Sequence, residues 1–163
     1  YALGVLVIPE HRVVRIPLLA LLALLLVSCG GGPVKRVFPP EARVQELRLQ
    51  GDGPNLLVRV QSFSTVPSDV QAYALTLEIA GITAATLEGR PSITVLPQAA
   101  EVIPVTASID AAALDRARAA LSNGTALRYR LHGTITVRPN GRAYPIDYSS
   151  ALSPAPGLDG VLR

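Results

Sequence analysis

Residues 126–148, ALRYRLHGTITVRPNGRAYPIDY, carry the clearest structural pattern in the chain. Apolar and polar residues alternate along the first half, which is the period of a β-strand with one buried face. Pro139-Asn140-Gly141 then interrupts the alternation, and Asn-Gly is a strong signal for a tight hairpin turn. The stretch therefore predicts a β-hairpin. Its predicted inward residues are Leu127, Tyr129, Leu131, Ile135, Val137, Tyr144, Ile146 and Tyr148.

Shorter stretches with the same period occur on the N-terminal side of this hairpin. They are VQELRLQ (44–50), NLLVRVQSF (55–63), AYALTLEIAG (72–81), ITV (93–95) and IPVTASI (103–109). In the first of them, Leu47 and Leu49 are predicted to point inward and Glu46 outward. Together with the hairpin these stretches give about seven strands, which is typical of an antiparallel β-sandwich.

One segment, DAAALDRARAALSNG (110–124), has the period of a helix instead. Asp110 is a suitable N-cap, and Asn123-Gly124 is a suitable stop. Leu114, Ala117 and Leu121 recur at helical spacing and are predicted to face the core. The sequence therefore predicts a mainly β fold, with one short α-helix in a crossover connection between strands.

Residues 44–163 resemble the late embryogenesis abundant type 2 family, also called the WHy domain. Four stretches carry the resemblance: LLVRVQSFSTVP (56–67), ALTLEIAG (74–81), LRYRLHGTITV (127–137) and LSPAPGLDG (152–160). Ser62 stands where the family commonly has Asn, and the family's Asn-Pro-Asn is absent. The resemblance implies a sandwich similar to immunoglobulin and fibronectin III domains, and a non-enzymatic protein associated with desiccation and other stress.

The N-terminal region, LLALLLVSCGGG (21–32), indicates a membrane anchor. Arg12 and Arg15 precede an apolar run that is shorter than the about 20 residues of a membrane-spanning helix. Its length fits a signal peptide, whose apolar core has roughly 7–15 residues. Leu26, Val27 and Ser28 directly precede Cys29 and resemble the lipobox of bacterial lipoproteins, in which the cysteine thiol receives diacylglycerol.

The predicted domain organisation follows from this anchor. Residues 1–28 form a signal peptide of uncertain start, and residues 29–43 form the lipidated Cys29 and a flexible Gly- and Pro-rich linker. Residues 44–163 form the sandwich domain. Gly30 is not the Asp that retains lipoproteins at the inner membrane, so we expect a periplasm-facing position at the outer membrane. The alternative is an incidental thiol at Cys29 behind an ordinary signal peptide.

The composition excludes some classes of function. The 163 residues carry a formal charge of only +3, from 15 basic and 12 acidic residues, which does not favour nucleic acid as a partner. A single cysteine cannot form an internal disulfide. No catalytic residues, metal ligands or cofactor are predicted, since His132 is the only histidine after Cys29 and alternates in phase with solvent-facing arginines.

One set of charged residues is a candidate binding surface. Arg128, Arg130, Arg138 and Arg142 all belong to the predicted hairpin. They can form an ordinary solvated strand face that also protects an edge from aggregation. Alternatively, they form a basic strip that contacts anionic lipid headgroups, a role that suits the planar guanidinium fork.

Three classes of function are therefore open for the anchored domain. The leading expectation is protection of the cell envelope during desiccation or osmotic stress, without catalysis. A second is a carrier that holds a lipid or another apolar ligand between its sheets, since inward Ala107, Ala117 and Gly133 are small. A third is a scaffold that adds a strand to another envelope protein.

Overall fold

The computed structural model describes residue 32 and residues 34–50 and 53–163, and the signal peptide and lipobox lie outside this part of the chain. Nine strands and one helix are present in the described part. In chain order they are β1 (Glu41–Arg48), β2 (Asn55–Gln61), β3 (Ser68–Ile79), β4 (Ile82–Gly89), β5 (Ile93–Val95), β6 (Ala100–Thr106), α1 (Ala111–Asn123), β7 (Leu127–Arg138), β8 (Arg142–Leu152) and β9 (Val161–Leu162).

The strands form two antiparallel sheets, which confirms the predicted β-sandwich. The four-stranded sheet has the order β6-β2-β1-β9, and the five-stranded sheet has the order β4-β3-β7-β8 with β5 paired to β3. The helix α1 lies in the connection between β6 of one sheet and β7 of the other. The chain therefore crosses between sheets at the helix, as expected from the sequence.

The β7–β8 hairpin is formed as the alternation predicts. Leu127, Tyr129, Leu131, Ile135 and Val137 are all buried, while Arg128, Arg130 and Arg138 are exposed. The strands pair in continuous register from Leu127 opposite Leu152 to Val137 opposite Arg142. Each strand therefore contributes one apolar face to the core between the sheets.

The helix α1 has the predicted caps but a slightly rotated buried face. The Asp110 carboxylate accepts hydrogen bonds from the backbone N–H groups of Ala112 and Ala113, and Gly124 adopts the left-handed conformation after the last turn. The fully buried residues are Ala113, Ala117 and Ala120, whereas Leu114 and Leu121 are only partly buried. Small residues at the contact let the helix axis approach the sheet closely.

The structure adds detail to the sequence prediction at two places and corrects it at Glu46. The number of strands is nine in the described part, because β4 and the two-residue β9 had no clear alternation. The first strand begins at Glu41 and not at residue 44, so residues 41–43 belong to the sandwich and not to the linker. Glu46 is buried and not exposed, because the register of β1 against β2 shifts between Val44 and Glu46.

The small inward residue Gly133 is explained by a close approach of two strands. It lies opposite Leu75 with φ 141°, and a Cβ atom there would collide with the backbone of Ala74 and Leu75. A side chain is therefore excluded by the neighbouring strand β3. Gly133 does not open a space for a ligand.

The two ends of the sandwich carry different loops. We call the end at which the chain enters β1 the proximal end, and the opposite end the distal end. The proximal end carries the segments 35–40, 62–67, 96–99 and 139–141, at the start of β1 and the end of β2. The distal end carries the segments 80–81, 124–126 and 153–160. The pairing of β7 with β3, which places Arg138 opposite Asp69 and Tyr129 opposite Ile79, orients the five-stranded sheet between these ends.

Candidate functional site

The four hairpin arginines do not form one cluster. Arg128 and Arg130 lie at the distal start of β7, whereas Arg138 and Arg142 flank the proximal β7–β8 turn. Ten residues of extended strand separate Arg128 from Arg138, which corresponds to roughly 33 Å. Arg128, Arg130 and Arg138 lie on the outer face of the five-stranded sheet, whereas Arg142 lies opposite Val137 in the inward phase of β8, at the exposed end of the hairpin.

Three of these arginines have structural partners. Arg130 donates two hydrogen bonds of 2.8 Å to the carboxylate of Asp147 on β8. These hydrogen bonds, together with the positive charge, hold the pKa of Asp147 below its ordinary value. The guanidinium carbon of Arg142 lies 5.5 Å from the centroid of the Tyr144 ring, and Arg138 reaches the side-chain oxygen of Gln71 at 2.7 Å once that amide is oriented to accept.

His132 is held on the outer face of the same sheet. Its Nε2 atom lies 3.2 Å from a carboxylate oxygen of Glu78 on β3, and both side chains are about one-third exposed. In the described part of the chain, no group of three or more His, Cys, Asp or Glu side chains is placed to hold a metal ion. The contact of His132 on β7 with Glu78 on β3 links two neighbouring strands.

Glu46 forms the most deeply buried ionic contact among the described residues. Its carboxylate accepts hydrogen bonds from Nε of Arg48 and, at 2.6 Å, from Nε of Arg163. Burial alone would raise the pKa of Glu46, but the hydrogen bonds and charges of the two arginines outweigh it, so the pKa lies below its ordinary value. The contact fixes the end of the chain on β1, where Leu162 also pairs with Leu47.

The outer face of the four-stranded sheet carries a pair of like charges. Arg43 on β1 and Arg59 on β2 are directly opposite each other, and like charges in this position repel. The Nε atom of Arg59 is buried without a hydrogen-bond partner. Sequence reasoning missed this pair, because the register of β1 against β2 cannot be read from either strand alone.

The interior between the two sheets is filled. A cavity of about 10 Å³ lies among Val58, Val70, Leu75 and Ile135, and its lining is entirely apolar. One water molecule already requires about this much space, together with polar partners. The described core therefore has no room for an acyl chain.

The predicted anchor residues Leu26, Val27, Ser28 and Cys29 lie outside the described residues. Within the described residues, no helix has both the length and the hydropathy that crossing a membrane requires. The lipobox and the signal peptide therefore stay predictions from the sequence.

Comparisons with known proteins find similarity at the level of structure. No family model matches the chain, and no curated protein matches its sequence. A crystal structure from Archaeoglobus fulgidus is 17% identical with a TM-score of 0.40, and the match covers 76% of this chain and 99% of that one. A solution structure from Arabidopsis thaliana is 16% identical with a TM-score of 0.46, over 78% of this chain and 85% of that one.

A third similar structure, provisionally described as a late embryogenesis abundant protein, is 16% identical with a TM-score of 0.44. This match covers 90% of the present chain and 88% of that one. At such low identity these similarities concern the overall fold alone. They carry no argument about activity or partners.

Proposed function

We propose that this chain is a non-catalytic lipoprotein of the bacterial cell envelope, anchored by acyl chains on Cys29. The observation that carries the proposal is the position of the only cysteine, directly after LLALLLVS and directly before three glycines. Each buried CH₂ of an acyl chain contributes about 0.8 kcal/mol to membrane binding, so several chains on one residue give a durable anchor. The sandwich then lies on the periplasmic side of the outer membrane.

The non-catalytic part of the proposal is supported by the contacts of the titratable side chains. Glu46 binds two arginines, Asp147 binds Arg130, and His132 binds Glu78. Each of these groups stabilises a contact between strands or between the chain end and β1. None of these contacts has the nucleophile–base arrangement of a covalent catalyst.

Protection of the envelope during desiccation or osmotic stress is the proposed role of the anchored domain. The support is the resemblance of the stretches 56–67, 74–81, 127–137 and 152–160 to the late embryogenesis abundant type 2 family. We propose membership of that family on the same stretches. A filled core and a short tether suit a protein that acts through its surface while it stays at the membrane.

The two other candidate functions receive less support. A carrier requires an internal space for its ligand, and the apolar cavity between the sheets measures about 10 Å³. A scaffold that works by strand addition requires an open edge strand. The edge strands β6 and β8 contain Pro104 and Pro145, and proline cannot donate to a new ladder of hydrogen bonds. Strand addition would therefore have to use β4, an edge strand without proline.

The anchor is tested by expressing the full chain and its Cys29→Ser variant in a bacterial host. We expect the mature wild-type chain to begin at Cys29, to carry acyl chains by mass spectrometry, and to sediment with membranes. The Cys29→Ser variant should lack the acyl mass and leave the membrane fraction. A wild-type chain without acyl mass contradicts the proposal.

The stress role is tested in a deletion strain of the source bacterium, complemented with either form. We expect the wild-type gene to restore survival of drying and osmotic shock, and the Cys29→Ser variant to restore it less. Equal survival of the deletion strain and its parent would show that stress protection is not the function. Equal rescue by the two forms would instead separate protection from anchoring.

A further inference from the structure

The exposed large apolar side chains of the sandwich are concentrated at its proximal end. Between Lys35 and Arg163 the structure exposes five such residues in its described part: Phe38, Phe63, Leu96, Val102 and Leu158. Three of them, Phe38 at 42%, Phe63 at 45% and Leu96 at 57% exposure, lie in the proximal loops. The chain has only two phenylalanines, and both are exposed there.

These three side chains are presented by loops that are tied to one another. The backbone N–H of Phe38 donates to Oγ of the buried Ser64 at 3.0 Å, and the N–H of Thr65 donates to the carbonyl of Arg36 at 3.0 Å. The N–H of Ser62 donates to the carbonyl of Ala99 at 2.9 Å, which holds the loop of Leu96 against the loop of Phe63. These hydrogen bonds therefore hold the three segments together at the proximal end.

Basic side chains also lie at the proximal end. Lys35 and Arg36 lie three and two residues before Phe38, and Arg138 and Arg142 flank the proximal hairpin turn. All four are exposed, and the acidic residues of this end are Glu41, Asp69 and Glu101. Exposed aromatic and aliphatic side chains next to Lys and Arg are typical of surfaces that lie in the interface of a lipid bilayer.

The segment between Cys29 and Lys35, which we call the tether, is short enough to keep the proximal end near the membrane. Six residue steps lead from Cys29 to Lys35, and a fully extended chain of that length spans at most about 22 Å. An acylated Cys29 lies at the level of the lipid headgroups, so the covalent chain keeps the proximal end near that surface. Such tethering raises the effective concentration of the lipid for even weakly binding side chains.

We propose that the proximal end docks on the membrane in which Cys29 is anchored. Phe38, Phe63 and Leu96 insert among the headgroups, and Lys35, Arg36, Arg138 and Arg142 face the lipid phosphates. This orientation directs the distal end, with Arg128 and Arg130, away from the bilayer. The inference rests on the proposed function, since it requires an acylated Cys29.

The absence of tryptophan from the chain permits a direct test. Single-tryptophan variants Phe38→Trp, Phe63→Trp and Leu96→Trp report on the proximal end. Leu158→Trp is the matched control, because Leu158 has a similar exposure of 44% and lies at the distal end. Each full-length acylated variant is reconstituted into vesicles of phosphatidylethanolamine and phosphatidylglycerol, with or without brominated acyl chains that quench tryptophan.

We expect brominated lipid to quench the three proximal tryptophans about two-fold or more, because interfacial side chains enter the bilayer by about 5–10 Å. The distal tryptophan should change little. Equal quenching at both ends, or no proximal quenching in an acylated protein, would overturn the docking while leaving the anchor intact. A blue-shifted proximal emission without quenching would also overturn it, since a protein surface would then cover this end.

Mass spectrometry before reconstitution separates a failure of the anchor from a failure of the docking. A chain without acyl mass overturns both, whereas an acylated chain isolates the docking for the quenching test. Hydrogen exchange of the wild-type protein gives a second measurement that needs no substitution. We expect slower exchange in segments 35–40 and 62–67 on vesicles than in detergent, with segment 153–160 unchanged, and the opposite pattern would contradict the proposal.

Discussion

Glu46 on the four-stranded sheet and Asp147 on the five-stranded sheet are both held by arginine, but in opposite environments. The side chain of Glu46 is 2% exposed and binds both Arg48 and Arg163, whereas the side chain of Asp147 is 60% exposed and binds Arg130 alone. A buried carboxylate depends on its partners for all of its lost hydration, but an exposed one is hydrated by water in any case. The same chemical pair therefore matters structurally in one sheet and little in the other.

Each sheet also contains an irregular point that constrains one inward residue, in a different way. The four-stranded sheet shifts register between Val44 and Glu46, which turns a charged residue inward and requires partners for it. The five-stranded sheet keeps Gly133 opposite Leu75, where β3 comes too close for any side chain. One solution depends on electrostatics, and the other depends on the absence of a Cβ atom.

The largest loss of folding stability is expected from Gly133→Ala. The new Cβ would collide with the Ala74 and Leu75 backbone, in a conformation that side chains rarely adopt. Backbone strain of about 1–3 kcal/mol and overpacking of about 1–3 kcal/mol add to a loss of roughly 3 kcal/mol or more. Urea unfolding measures this loss. Gly124→Ala is the control, because Gly124 also has a positive φ, of 64°, but a Cβ there meets nothing within 4 Å. It carries backbone strain without the collision and should lose less stability, and an equal loss in both variants would contradict the close approach.

The second-largest loss of folding stability is expected from Glu46→Ala. This change removes the acceptor of the hydrogen bonds from Arg48 and Arg163 and leaves their side chains, which are about half exposed, to water. Hydrogen bonds to a charged group contribute about 1.5–3 kcal/mol, so we expect a loss of about 2 kcal/mol in urea unfolding. Asp147→Ala is the matched control and should unfold close to the wild type. Similar losses in the two variants would remove the distinction between the sheets.

A smaller loss is expected from Arg163→Gln, which leaves Glu46 with one arginine. We expect a loss of about 1 kcal/mol, below the about 1.5–3 kcal/mol of a hydrogen bond to a charged group, because the Arg163 side chain is half exposed and its charge is screened by water. Hydrogen exchange in β9 should be faster. Arg163→Lys keeps the charge but lacks the Nε–H donor of the guanidinium, so it should recover only part of the loss. Full recovery by lysine would show that charge alone, without the hydrogen-bond geometry, fixes the chain end.

The dependence of the Tm on pH provides an independent test of Glu46. The pKa of folded Glu46 lies below its ordinary value of 4.5, so the folded state binds fewer protons there than the unfolded state. The contribution of ionised Glu46 to the free energy of unfolding is complete above about pH 4.5. It is lost as the pH falls through the lowered pKa. Between about pH 6 and pH 3, the Tm of the wild type should therefore fall more steeply than that of Glu46→Gln. Parallel curves would show that Glu46 is not the group involved.

The sequence predicted the secondary structure correctly where no bulge interrupts the alternation of apolar and polar residues. The alternation of β7 correctly predicted its buried face, and Asp110 and Gly124 correctly bounded α1. Strand β4 was missed, because Ala84 and Ala85 are both buried at a register shift and break the alternation. Glu46 was misplaced for the same reason, since a bulge reverses the inward and outward faces beyond it.

The candidate surfaces depended on information that only the folded chain supplies. Alternation correctly assigned Arg128, Arg130 and Arg138 to the outward face of β7. It did not indicate that Arg142 lies opposite the buried Val137, in the other phase of the hairpin. The proximal end combines Phe38, Phe63 and Leu96 from three separate segments. No local pattern connects these positions, because only the topology of the two sheets places their segments at the same end of the sandwich.

The smallest effect is expected from the exposed pair on the five-stranded sheet. Arg130→Ala, Asp147→Ala and the double variant form a cycle that isolates the energy of this contact. The two hydrogen bonds are short at 2.8 Å, but water and salt screen an exposed pair and replace its hydrogen bonds. We therefore expect a coupling near the detection limit in urea unfolding, which declines further as salt is added. A coupling as large as the loss in Glu46→Ala would mean that hydrogen-bond geometry, and not burial, determines what an arginine contributes in this fold.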